Sequence, residues 1–147
     1  MKRRTLLQAG IQVSLGAILF PRAAIGAYPS GAFLAKELPQ ALREAFGSAD
    51  IGDSDKIEIE APLIARDPGM VPVRIRSGFA NTESIAIVVA SNESPFTAHF
   101  RLYESQDFVS TRVRMAATGD LVVIVKADGV LHANRRPVRV GRNSCEV

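Results

Sequence analysis

The chain has 147 residues and a formal charge of +3, from 18 Lys and Arg against 15 Asp and Glu, and it contains one cysteine. Four of the bases, Lys2, Arg3, Arg4 and Arg22, fall in the first 26 positions, which hold no acid, so the remainder carries 14 bases against 15 acids. A near-neutral body removes the electrostatic support for a nucleic-acid function, and a single thiol excludes an internal disulfide framework.

Residues 1–27 read as a cleaved export signal. Lys2-Arg3-Arg4 precede a mildly apolar stretch from Leu6 to Phe20, which is interrupted by Gln8, Gly10, Gln12, Ser14 and Gly16; Pro21 and the small residues Ala23-Ala24-Ile25-Gly26-Ala27 follow. Charged, apolar and cleavable segments in that order make a removable signal, too short and too polar for a stable membrane span. The run Arg3-Arg4-Thr5-Leu6-Leu7 resembles a twin-arginine leader, which implies export of the folded protein to the periplasm.

The expected organisation places an N-terminal helix and linker over 28–55, a β-sandwich over 56–141 and a short arm over 142–147. Leu38, Ala41, Leu42, Ala45 and Phe46 recur at helical spacing, so Ala32 to Phe46 reads as one helix stopped by Gly47. Ser48 to Asp55 reads as a polar loop. From Lys56 onward the period becomes two. Ile57, Ile59 and Ala61 alternate with Glu58 and Glu60, and Val71, Val73 and Ile75 alternate with Arg74 and Arg76. Glu58 and Glu60 form either a solvated face or a docking face. Ile85 to Ala90 and Leu121 to Val125 are continuously apolar, as strands buried on both faces are. Further alternating runs lie around Phe100 and from Val109 to Met115. Asp128-Gly129 signals a hairpin into Val130-Leu131-His132, and Val138 and Val140 form a last strand. Seven or eight short strands after one helix predict an all-β, immunoglobulin-like antiparallel sandwich.

Little chemistry is visible outside the thiol. His99, His132 and Cys145 are too scattered for a metal centre, and neither a phosphate loop nor a nucleophilic-serine elbow is present. No metal, cofactor or catalytic residue is expected, and the chain reads as a non-enzyme. Cys145, third from the carboxyl end, suits either an intermolecular bond or a free reactive group. Arg135, Arg136, Arg139 and Arg142 lie within ten residues of it. Such charge favours a thiolate and attracts anions, although a basic strand edge also serves simply to discourage aggregation. Of the four, Arg139 and Arg142 stand nearest the thiol and are the candidate supporting residues.

Several segments, taken in order, resemble the SoxY family of periplasmic sulfur-carrier proteins. They are Ala41-Leu42-Arg43-Glu44-Ala45-Phe46-Gly47, Ile57-Glu58-Ile59-Glu60-Ala61-Pro62-Leu63-Ile64-Ala65 with Met70-Val71-Pro72-Val73, Phe108 to Ala116, and Val125-Lys126-Ala127-Asp128-Gly129. The resemblance implies a sandwich paired with a second small β-sandwich subunit, SoxZ. It also implies a carboxyl-terminal cysteine, here Cys145, that carries thiosulfate covalently. A c-type cytochrome would load the carrier and a hydrolase would release sulfate from it. One departure stands out: the family flanks its cysteine with glycine pairs, whereas this chain reads Asn143-Ser144-Cys145-Glu146-Val147. The alternative is an exported binding module that has kept the sandwich, recruits a protein partner and carries no sulfur.

Overall fold

The computed structural model describes residues 28–103 and 107–141; the expected leader (1–27) and the expected arm (142–147) lie outside the described residues. Among the described residues two helices, α1 (Ser30–Leu34) and α2 (Leu38–Phe46), precede nine strands. The strands are β1 (Gly52–Asp53), β2 (Ile57–Glu60), β3 (Ile64–Ala65), β4 (Val71–Ser77), β5 (Thr82–Val89), β6 (Phe96–Arg101), β7 (Phe108–Val113), β8 (Gly119–Ala127) and β9 (Val130–Val140). One sheet runs β1-β9-β8-β5-β6, with β3 also on β9, and the other runs β2-β4-β7. The sandwich expected from the sequence is present.

The single helix expected over Ala32 to Phe46 is instead two. A continuous helix would drive the Pro39 ring against the carbonyl of Ala35, four residues earlier. The chain accordingly turns extended at Ala35 (ψ 133°) and at Glu37 (ψ 134°), and α2 restarts with Pro39 in its first turn. Gly47 closes α2 in the left-handed region at φ 76°, where a side chain is strained, and its N–H bonds to the Arg43 carbonyl at 2.9 Å.

The apolar runs of β5 and β8 are explained by two cores. Ile85, Ile87 and Val89, with Leu121, Val123 and Val125, face the small sheet and meet Val71, Val73, Ile75 and Val109. Ala86, Val88 and Ile124 point the other way, into a second core closed by Ala32, Ala41 and Leu42 of the helices and by Phe96. The molecule therefore has three layers, small sheet, large sheet and helices, with β5 and β8 fully covered in the middle one. Each strand lies between two apolar faces, so neither side selects polar residues.

Two further differences concern β9. The residues flanking Pro137 belong to one eleven-residue strand rather than two. Its outer edge is in register with β1 only at His132 and Ala133, and with β3 only at Arg139 and Val140. Pro137 falls in the gap, where no N–H is required. Both pairings are parallel, and β1 occupies a stretch expected to be loop, so the sandwich is antiparallel except along this edge. The expected hairpin is present, with Asp128 (φ 49°) and Gly129 (φ 76°) both left-handed, as a two-residue primed turn requires.

Candidate functional site: the carboxyl end of the last strand

The candidate site begins where β9 leaves the sandwich. Val138 is fully buried and Val140 packs on the same core. On one side β8 pairs with β9 up to Gly119 opposite Val138. On the other, β3 holds the final residues: Arg139 N–H donates to the Leu63 carbonyl at 2.9 Å, and Gly141 N–H donates to the Ala65 carbonyl at 3.1 Å. Val140 N–H adds a third bond, to Thr118 Oγ1 at 2.9 Å. Gly141 runs close against β3, and a Cβ placed on it would lie 3.1 Å from Ile64 Cγ2. The main chain is thus fastened through Gly141, the last described residue, and the exposed apolar side chains of Leu63 and Ile64 stand beside it.

Cys145 and Arg142 lie outside the described residues. Four residues separate Gly141 from Cys145, a span of at most about 13–14 Å when extended. The remaining arginines divide by role. Arg139 is exposed, two residues from the anchored end. Arg136 turns inward across the sandwich edge, and its Nε donates to the Ala61 carbonyl at 2.8 Å. Beside it Asn134 Nδ2 donates to the Ile57 carbonyl at 2.7 Å, so these two side chains close β9 onto β2. Arg135 is exposed and pairs with Asp53 at 3.7 Å. Six residues of strand put Arg135 about 20 Å from Gly141, beyond the screening length of about 8 Å in physiological salt. Of the arginines singled out from the sequence, Arg135 pairs with Asp53 and Arg136 bonds the Ala61 carbonyl, while Arg139 is the described one nearest Gly141 in the chain. The strand period and the Arg136 contact separate them; the sequence interval alone did not.

The residues that fasten the end of β9, Leu63, Ala65 and Thr118, were not singled out from the sequence. They act through backbone groups and one hydroxyl brought in from two other segments, and no local pattern marks them. The acidic residues of β2 are balanced within the small sheet, Glu58 by Arg76 at 3.9 Å and Glu60 by Arg74 at 3.8 Å, all well exposed. That favours the solvated-face reading. His132 stacks on Phe79 with ring centres 4.3 Å apart, and His99 lies under α2 against Phe46 and Phe96 rather than on an open sheet face. Among the described residues no cluster of three His, Cys, Asp or Glu is placed to hold a metal, and no helix is long and apolar enough to cross a membrane.

The family model described as sulfur oxidation protein SoxY matches residues 42–145. The chain belongs to the SoxY family. The SoxY match runs from α2 through the sandwich and ends on the cysteine. A solved structure, the sulfur carrier protein SoxY from Chlorobium limicola f thiosulfatophilum, is 39% identical with a TM-score of 0.62, covering 69% of this chain and 93% of that one. Two superoxide reductases (neelaredoxin) from Ignicoccus hospitalis share the fold alone. One is 17% identical with a TM-score of 0.52 over 62% of this chain and 94% of that one; the other is 18% identical with a TM-score of 0.51 over 69% and 86%. The comparison with curated proteins found no match.

Proposed function

We propose that this SoxY-family chain is the sulfur carrier of a periplasmic sulfur-oxidation system, reached by the twin-arginine route, and that its cargo is attached to Cys145. The observation that carries the reading is the family match ending at residue 145, on the chain's one thiol, four residues past the anchored Gly141. The Chlorobium relative, a sulfur carrier protein, supports it.

The chemistry is oxidative coupling. The Cys145 thiolate and the outer sulfur of thiosulfate form an S–S bond and release two electrons, which a c-type cytochrome accepts one at a time. Water then attacks the sulfone sulfur of the adduct under a hydrolase, releasing sulfate and two protons and leaving a persulfide on Cys145. The chain itself supplies a thiolate, a reach of about 13–14 Å from Gly141 to Cys145 and a rigid anchor; the redox and hydrolytic groups belong to its partners. A SoxZ-like small sandwich completes the carrier as a heterodimer. Arg139 and Arg142 contribute positive charge at the base of the arm that draws in anionic sulfur species.

The test is the intact mass of protein purified from the periplasm, with and without thiosulfate, before and after a reductant. A reducible adduct of one thiosulfate unit, absent from Cys145→Ser, is the expected result. An unmodified thiol under every condition, with binding of a small sandwich partner retained, replaces this reading with that of the non-carrying module. The bulky tail Asn143-Ser144-Cys145-Glu146-Val147 is the observation in that module's favour.

A further inference from the structure

A cleft of about 520 Å³ opens on the helix-covered side of the large sheet, at the end of α2, and none of the preceding chemistry uses it. Its floor is a row set by strand register: Ser84 of β5 pairs with Lys126 of β8 on one side and with Arg101 of β6 on the other. Directly paired residues project to the same face, so two cations flank one hydroxyl, with neighbouring strands about 4.8 Å apart. The adjacent row brings His99, opposite Ala86, to the wall beneath Phe46.

Most polar groups of the cleft have partners within the fold. Asn81 Nδ2 donates to Asp128 Oδ1 at 2.8 Å, Glu83 accepts from Gly129 N–H at 2.8 Å, and Thr82 bonds Ser77 at 2.6 Å. One does not. His99 Nε2 is buried and has no partner among the described residues, whereas buried polar groups are ordinarily satisfied. Ser84, only 4% exposed, lines the same cleft, as do the side chains of Lys126 and Arg101.

We propose that this cleft binds a small tetrahedral oxyanion of the sulfate class, held between Lys126 and Arg101 over the Ser84 hydroxyl, with His99 at its edge. Glu83, whose carboxylate lies 3.2 Å from Lys126, opposes the charge and limits the affinity to a weak, exchangeable site. The site is separate from the thiol. Lys126 lies seven residues along β8 from Gly119, which is level with the end of β9, so about 24 Å of strand divides the cleft from the arm's origin. Cys145, within about 13–14 Å of Gly141, does not reach it in the same molecule. The cleft is therefore a second, non-covalent site for the class of ion that sulfur oxidation consumes and produces.

The experiment is a titration of the purified protein with sodium sulfate at constant ionic strength, balanced with chloride and followed through the His99 ring and Ser84 amide resonances. Saturable shifts are expected in the millimolar range, with thiosulfate and phosphate competing. Lys126→Met and Ser84→Ala should each weaken binding fivefold or more while the rest of the amide spectrum stays folded. Shifts that grow linearly, that chloride reproduces, or that persist unchanged in both variants overturn the proposal. Cys145→Ser should bind sulfate as the unaltered protein does, so failure here leaves the carrier reading untouched, and failure of carrier loading leaves this one untouched.

Discussion

His99 shows how one side chain reports its surroundings. Burial under α2, then the nearby charges of Arg101 and Lys126, hold its pKa below the ordinary imidazole value of 6.5. The unfolded chain therefore takes up a proton before the folded one does as pH falls. The resulting stability is complete above about pH 6.5 and is lost as pH drops from there toward the folded pKa. His99→Phe, placed between Phe46 and Phe96, should flatten this part of the pH–stability curve. It should also add on the order of 1 kcal/mol by removing a buried unpaired nitrogen. Urea unfolding at pH 7.5 and 5.0 measures both effects, and an unchanged slope in the variant would contradict them. At the thiol, Glu146 sets a negative charge next to Cys145. A unit charge about 6 Å away in water is worth about 0.7 kcal/mol. Under the proposed carrier chemistry, Glu146→Gln should accordingly speed coupling of thiosulfate about threefold, with the gain shrinking as salt rises; stopped-flow or timed mass measurements follow it.

At the scale of elements, β9 does two jobs. Its middle closes the sandwich through Asn134 and Arg136, and its end is fastened by β3 and Thr118. The two jobs are separable. Asn134→Ala leaves the Ile57 carbonyl without its donor and should cost about 1–2 kcal/mol of global stability, read by chemical denaturation. Thr118→Val leaves Val140 N–H without an acceptor at an exposed end. It should accelerate hydrogen exchange at Val140 several-fold while the unfolding midpoint barely moves. Equal effects of the two substitutions on global stability would show that the arm's base is part of the cooperative core.

For the whole molecule, the helical layer is structural. Leu42 is 3% exposed in the core that also buries Val88, Phe96 and Ile124. Leu42→Ala should destabilise by about 2–4 kcal/mol. Removing residues 28–47 would bare the outer apolar face of β5 and β8 and should drive aggregation, read as a shift to the void volume on size exclusion. Under the proposed carrier reading, the covered sandwich serves to hold one strand end in place.

Much of this was legible in the sequence because it is written in local periods. Alternation in β2 and β4, unbroken apolar runs in β5 and β8 and the Asp128-Gly129 turn are short-range patterns with one physical meaning each. The break between α1 and α2 was legible too, through Pro39 and the Ala35 carbonyl, but the apolar spacing masked it. What the tertiary structure alone decided arises from residues far apart in the chain: the fastening of Val140 and Gly141, the contacts of Arg135 with Asp53 and of Arg136 with the Ala61 carbonyl, and the gathering of Ser84, His99, Arg101 and Lys126 around one cleft. Strand pairing and layer packing set those neighbours. A linear pattern states which face a residue takes, while only the folded register states what stands opposite it.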